Sequence, residues 1–149
     1  MVWTPHGTVA TIIEKDGKFL FVKEISNGKE VYNQPAGHIE DNETVVEAAI
    51  RETLEETGYT VSIESFIGIY IYKAPSNGVT YHRYCFKADI VDYDPNAILD
   101  DGIIEACWLS LDEIKAQPEM MRSPIVEKCV EDYLNRPHQS LDLIFEHIK

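Results

Sequence analysis

Three glutamates, Glu52, Glu55 and Glu56, fall within five consecutive positions near the end of an amphipathic stretch. At ~100° per residue on a helical wheel they share an arc of roughly 100°. Val46, Ile50, Thr53, Leu54 and Thr57 fall on the opposite side and form a face able to pack on a sheet. Glu43, Glu47 and Arg51 lie between the two faces, with Glu47 and Arg51 at the favourable i,i+4 spacing. Acids on an outer helix face are often no more than solvated. Two features argue for more. One turn earlier the flanking residues are Ala48 and Ala49, small enough to leave room for an approaching group. Carboxylates late in a helix also oppose its macrodipole, so they bring the helix no stability. Converging carboxylate oxygens suit a hard divalent cation, Mg²⁺ or Mn²⁺, whose remaining positions go to water and phosphate oxygens.

The elements that must position these acids can be read from punctuation and periodicity. The spacing predicts a helix from about Glu43 to Thr57, with Asn42 as N-cap and Gly58 as C-terminal stop. Gly7 to Glu14 and Lys18 to Glu24 flank Asp16-Gly17 and read as a β-hairpin. Lys29 to Pro35 reads as a short strand, Ser65 to Tyr72 and Val79 to Val91 as longer ones, and Ile103 to Leu109 as the last. A short helix follows from Leu111 to about Gln117. Another begins at Pro124, with Ser123 as N-cap and Ile125, Cys129 and Tyr133 along its apolar stripe. Strands, a helix, strands, then helices make an α+β sandwich pattern. After Pro137, Leu141, Ile144, Phe145 and Ile148 recur at helical spacing, and their packing partner is not legible.

Composition narrows the chemistry. At 149 residues, with no linker or repeat, the chain reads as one domain. No apolar run is long enough to span a bilayer, and the start has no secretory pattern. Cys85, Cys107 and Cys129 are widely spaced, without a Cys-x-x-Cys pair, so reduced thiols and a cytoplasmic location are expected. The formal charge of −13, from 26 acidic and 13 basic residues, argues against a nucleic-acid polymer as partner. It would also repel a small phosphorylated ligand unless divalent cations lay between the two.

From Gly37 to Gly58 the sequence carries Gly37, Glu43, Arg51, Glu52, Glu55, Glu56 and Gly58 at the seven fixed positions of the Nudix box, and in this it resembles the Nudix hydrolase family. It departs only at two bulky apolar positions, held here by Thr53 and Tyr59. The resemblance implies a Nudix α/β/α sandwich with a mixed β-sheet, and hydrolysis of a diphosphate linkage. It implies that Glu52, Glu55 and Glu56 hold divalent cations together with the backbone carbonyl of Ala36. Arg51 would be structural, and Gly37 and Gly58 would shape the loops at either end of the helix. The family draws a further acidic ligand or base from a later loop; Glu105 leads, with Asp100 and Asp101 beside it, and any of them could equally be a solvated charge. Glu52, then Glu105, is the expected general base.

The Asn33-Gln34-Pro35-Ala36-Gly37-His38 run, with His82-Arg83-Tyr84 and Arg122-Ser123-Pro124, resembles the NudJ type within that family. That type removes phosphate from nucleoside di- and triphosphates and from hydroxymethylpyrimidine pyrophosphate, which makes such a ligand the expected substrate. Another Nudix pyrophosphohydrolase, or a non-catalytic binding module, is the alternative. Asn33 and Gln34 could donate to a base or phosphate, or be buried strand amides. Arg83 could bind phosphate or form a surface ion pair, and His38 and His82 are weaker candidates. Tyr70 and Tyr72 could line a ring-binding cleft or fill sheet surface. A monomer or homodimer is expected.

Overall fold

Turn chemistry divides the first half of the chain between two sheets. The computed structural model describes residues 2–148. Strand β1 (His6–Ile12) is buried at five consecutive positions, Thr8 to Ile12, as befits a strand covered on both faces. The Asp16-Gly17 turn, with both residues at positive φ, joins β2 (Glu14–Lys15) to β3 (Lys18–Ser26). The expected hairpin therefore forms only at its tip, because residues 7–12 leave for the other sheet. There β1 lies antiparallel to β5 (Ala36–His38) and parallel to β7 (Thr80–Tyr93), with β6 (Tyr59–Lys73) at the edge. A central place satisfies both backbone edges of a strand that has no wet side. The second sheet joins β2, β3 and β4 (Lys29–Asn33), with β8 (Ile103–Ser110) paired to β3. Gln34-Pro35 carries the chain from β4 in one sheet to β5 in the other.

Helix α1 (Val45–Thr57) covers one side of the sheets. Helices α2 (Leu111–Ala116) and α3 (Pro124–Asn135) cover the other, giving the α/β/α sandwich with one parallel strand pair. Phe19, Phe21, Ile114, Val126 and Val130 pack on the α3 side, while Val9, Val45, Ala48, Ala49 and Phe86 pack beneath α1.

Two expectations about α1 are corrected. Its N-cap is Thr44, not Asn42, which sits in the left-handed region. The Thr44 hydroxyl accepts from the Glu47 amide at 3.1 Å, and the Glu47 carboxylate accepts from the Thr44 amide at 2.9 Å. This reciprocal box satisfies two of the helix's first amides. Ala48 and Ala49 are fully buried against the strands, and Leu54 is 41% exposed. Their smallness lets the helix approach the sheet; it clears no path for a ligand. At the other end Gly58 adopts φ 79° and donates to the Leu54 carbonyl, as expected of a helix stop.

The tail docks on the body. Gln139 exchanges two backbone hydrogen bonds with Phe66, Leu141 and Ile144 pack on the Phe66–Phe86 cluster, and the Glu146 carboxylate accepts from the Val45 amide at 3.1 Å. Leu141–Leu143 forms a 3₁₀ turn, and Phe145 stays 88% exposed. No helix among the described residues is long and apolar enough to cross a membrane.

Candidate active site

The acidic face of α1 closes one wall of a cleft of about 490 Å³, whose lining includes Ala36, Gly37, His38, Glu52 and Glu56. Arg51 organises that wall. Its Nε and Nη2 donate to the two Glu43 oxygens at 2.6 and 3.0 Å, Nη1 donates to Glu52 at 2.7 Å and to Glu55 at 3.3 Å, and Nη2 also reaches the His38 carbonyl. One planar fork thus spans the loop before the helix and two acids of the helix itself. These bonds hold Glu43 below the usual carboxylate range and raise the pKa of Arg51 further. The Glu52 carboxyl lies directly over Gly37, where a Cβ would overlap it. That position requires glycine because of close approach.

Glu52, Glu55 and Asp100 place carboxylate oxygens within 4.8 Å of one another. Asp100 arrives from the β7–β8 loop, which is pinned to α1 by Asp94 N–H to the Gly58 carbonyl and Asp100 N–H to the Glu55 carbonyl. Glu56 sits deeper, only 9% exposed, and accepts from the Ala36 amide at 2.9 Å. Burial, with Glu24, Glu52 and Asp100 adding repulsion, pushes its carboxyl up to about 8. Burial also raises Glu52 and Asp100. Crowded, half-dry acids with one arginine among them are poised to exchange protons for a divalent cation, and their oxygen donors are of the hard type such a cation prefers.

Glu105 lies elsewhere. It is exposed on β8 opposite Lys23, on the same strand face as Cys107 and Leu109, which point to the α3-side core. Strand alternation keeps it out of the cluster, and Asp100 stands beside Glu52 and Glu55 instead. Gln34 also requires correction as a ligand contact. It is fully buried; its Oε1 accepts from Arg83 at 2.7 Å and its Nε2 donates to the Val126 carbonyl at 2.7 Å. Both ends of the amide are spent inside the protein.

Asn33 and Arg83 are buried but line the cleft, and the Asn33 Oδ1 accepts from Arg83 at 3.0 Å. Among the described residues no carboxylate pairs with Arg83, whose oxygen acceptors are the two neutral amides. His38 lines the rim, within hydrogen-bonding distance of His6, and is held below its usual pKa by burial. Tyr72 lines the cleft, whereas Tyr70 packs in the core and donates to Asp132. Sequence reasoning gave no role to two residues here: buried Glu24, which it did not single out, and Arg122, quoted only as part of a motif, which pairs with Glu24 at 2.8 Å and lines the cleft. The readable signal was Glu24 itself, in phase with the apolar Leu20 and Val22 along β3.

The chain matches the NUDIX domain family over residues 4–128. It belongs to the Nudix hydrolases. This Nudix chain is 38% identical to the Phosphatase NudJ of Escherichia coli strain K12 over 143 residues, 96% of this chain and 92% of the relative. It superposes on a NUDIX hydrolase from Nitrosomonas europaea with TM-score 0.94 and 44% identity, covering 97% and 98% of the two chains. A MutT NUDIX hydrolase from Burkholderia pseudomallei shares the fold at TM-score 0.75 and 20% identity, over 87% of this chain and 98% of that one. The Nudix α/β/α sandwich expected from the sequence is thus the fold of the chain.

Proposed function

We propose that this Nudix hydrolase cleaves a phosphoanhydride bond in a small nucleoside or pyrimidine di- or triphosphate, with Mg²⁺ as cofactor and Mn²⁺ able to substitute, and releases orthophosphate. The observation that carries this reading is one cleft with acids on one wall and, on another, a buried arginine that no carboxylate pairs among the described residues. The cleft volume is of the size that takes one mononucleotide-scale ligand.

Glu52, Glu55, Glu56 and Asp100, with the Ala36 carbonyl, are assigned the divalent cation. When bound, Mg²⁺ supplies charge neutralisation at phosphate oxygens and lowers the pKa of water. Arg51 keeps Glu52 and Glu55 aimed at one point. Glu52, whose carboxyl lies over Gly37 on the cleft wall, is assigned general base. Arg83, with its charge presented to the cleft, is assigned a phosphate of the substrate. Asn33 steadies that arginine, and His38 with Tyr72 contacts the organic part. The free thiols Cys85, Cys107 and Cys129 suit a reducing, cytoplasmic setting.

The likeness to the NudJ type favours hydroxymethylpyrimidine pyrophosphate as the best substrate, with nucleoside di- and triphosphates below it. The test is a phosphate screen with Mg²⁺ that reads orthophosphate and pyrophosphate separately. Orthophosphate release from small diphosphates is the expected result. ADP-ribose or a dinucleoside polyphosphate as best substrate would overturn the substrate assignment, and full turnover in excess chelator would overturn the metal assignment.

A further inference from the structure

We propose that Glu24 is a positioning residue that holds two arginines, Arg83 and Arg122, toward the anionic part of the ligand; this rests on the reading of the cleft as a site for a phosphoanhydride substrate. Glu24 is 7% exposed, near the end of β3 on the face that carries Leu20 and Val22. One of its oxygens accepts from Arg122 Nη1 at 2.8 Å and from Asn33 Nδ2 at 3.4 Å. A carboxylate can only accept, so Asn33 must present its NH₂ to Glu24 and its carbonyl oxygen to the other side. That oxygen takes Arg83 Nη2 at 3.0 Å. Gln34 takes Arg83 Nη1, and is itself locked by the Val126 carbonyl. A single carboxylate therefore pairs with one arginine directly and orients the second through an amide.

The two arrangements differ in charge. Arg122, about half-exposed, is ion-paired by Glu24 and anchored by its own amide to the Tyr32 carbonyl at 2.8 Å. Arg83 donates to two neutral amide oxygens and, at 4.0 Å, to the Cys129 sulfur, and among the described residues no carboxylate offsets its charge where it faces the cleft. Stability does not explain this design. A buried carboxylate is costly to dehydrate, and replacing buried ion pairs by apolar side chains is often neutral or stabilising. Rigidly held donors beside a cleft do serve recognition of an anion, since no ordering cost remains when the ligand arrives.

The test is calorimetric binding of imidodiphosphate, whose bridging nitrogen resists hydrolysis, with Mg²⁺ present, alongside steady-state kinetics on a nucleoside triphosphate. Glu24→Leu, which removes both acceptor oxygens at similar volume, should weaken imidodiphosphate at least about 10-fold and raise KM by a similar factor, while kcat falls much less, because the loss is of ground-state anion binding. Arg122→Gln should lose only the direct part. Glu24→Leu combined with Arg122→Gln should bind more weakly than Arg122→Gln alone, since the arm through Asn33 to Arg83 is also released. Unchanged binding in Glu24→Leu, a double variant equal to Arg122→Gln, or a fall in kcat with KM and Kd unchanged would each overturn the proposal while leaving the functional reading intact. Wild-type protein that binds no imidodiphosphate would overturn both.

Discussion

Replacing Glu56 by glutamine removes one negative charge from a buried site while keeping the side chain's shape. The acid is 9% exposed and its carboxyl is pushed from 4.5 up to about 8, first by burial and then by Glu24, Glu52 and Asp100. In metal-free protein the folded state thus keeps the proton, while the unfolded chain releases it above pH 4.5. Stability is fully present below pH 4.5 and drains away as pH rises through about 8. That rise is worth about 4 kcal/mol at pH 8, and roughly 2–3 kcal/mol once the protein relaxes around the charge. Glutamine can still accept from the Ala36 amide, and it offers an NH₂ to the surrounding acids. In chelator at pH 8, Glu56→Gln should therefore unfold about 5–10 °C above wild type, and at pH 5 the two should nearly coincide. Mg²⁺ should reverse the ranking, because wild type gains from the cation what the variant cannot. Activity should fall at least ~10²-fold. Scanning calorimetry at the two pH values, with and without Mg²⁺, reads all of this. Equal melting temperatures at pH 8 in chelator, or an equal gain from Mg²⁺, would refute the reasoning.

Gly37→Ala should cost activity ~10²-fold with the fold retained, because the new Cβ would overlap the Glu52 carboxyl; kcat and circular dichroism check it. Gln34→Ala should destabilise by about 2–4 kcal/mol, since it strands an Arg83 donor in a dry site and leaves a cavity where a fully buried side chain stood. Denaturant unfolding measures that loss, and a variant as stable as wild type would contradict it. Glu146→Gln removes the carboxylate from the first amide of α1 and should cost about 0.3–1 kcal/mol, shrinking as salt is added. A loss of stability independent of ionic strength would point to packing instead.

The helix, its acidic face and its glycine stop were legible because each is local. Period 3.6 places Glu52, Glu55 and Glu56 on one side whatever surrounds them, and a residue past the last turn needs positive φ wherever the helix packs. The α+β order of elements was legible for the same reason. The partners of each element were not. Gly7 to Glu14 reads as the first arm of a hairpin, yet residues 7–12 cross to the other sheet, since strand alternation says which residues are apolar but not which edge they meet. Ala48 and Ala49 look like a clearing for a ligand until the helix is set down on the strands, where both are fully buried in the core beneath it. That Asp100 rather than Glu105 lies beside Glu52 and Glu55 depended on a loop folding back over the end of α1, and on strand parity turning Glu105 away. Glutamates on one helix face look equivalent in sequence, but Glu56 is dry and Glu55 is not. Charge, propensity and periodicity are carried by neighbours in the chain and can be read from it. Burial, counter-charge and the direction of an amide depend on what packs from afar, so only the tertiary structure decides them.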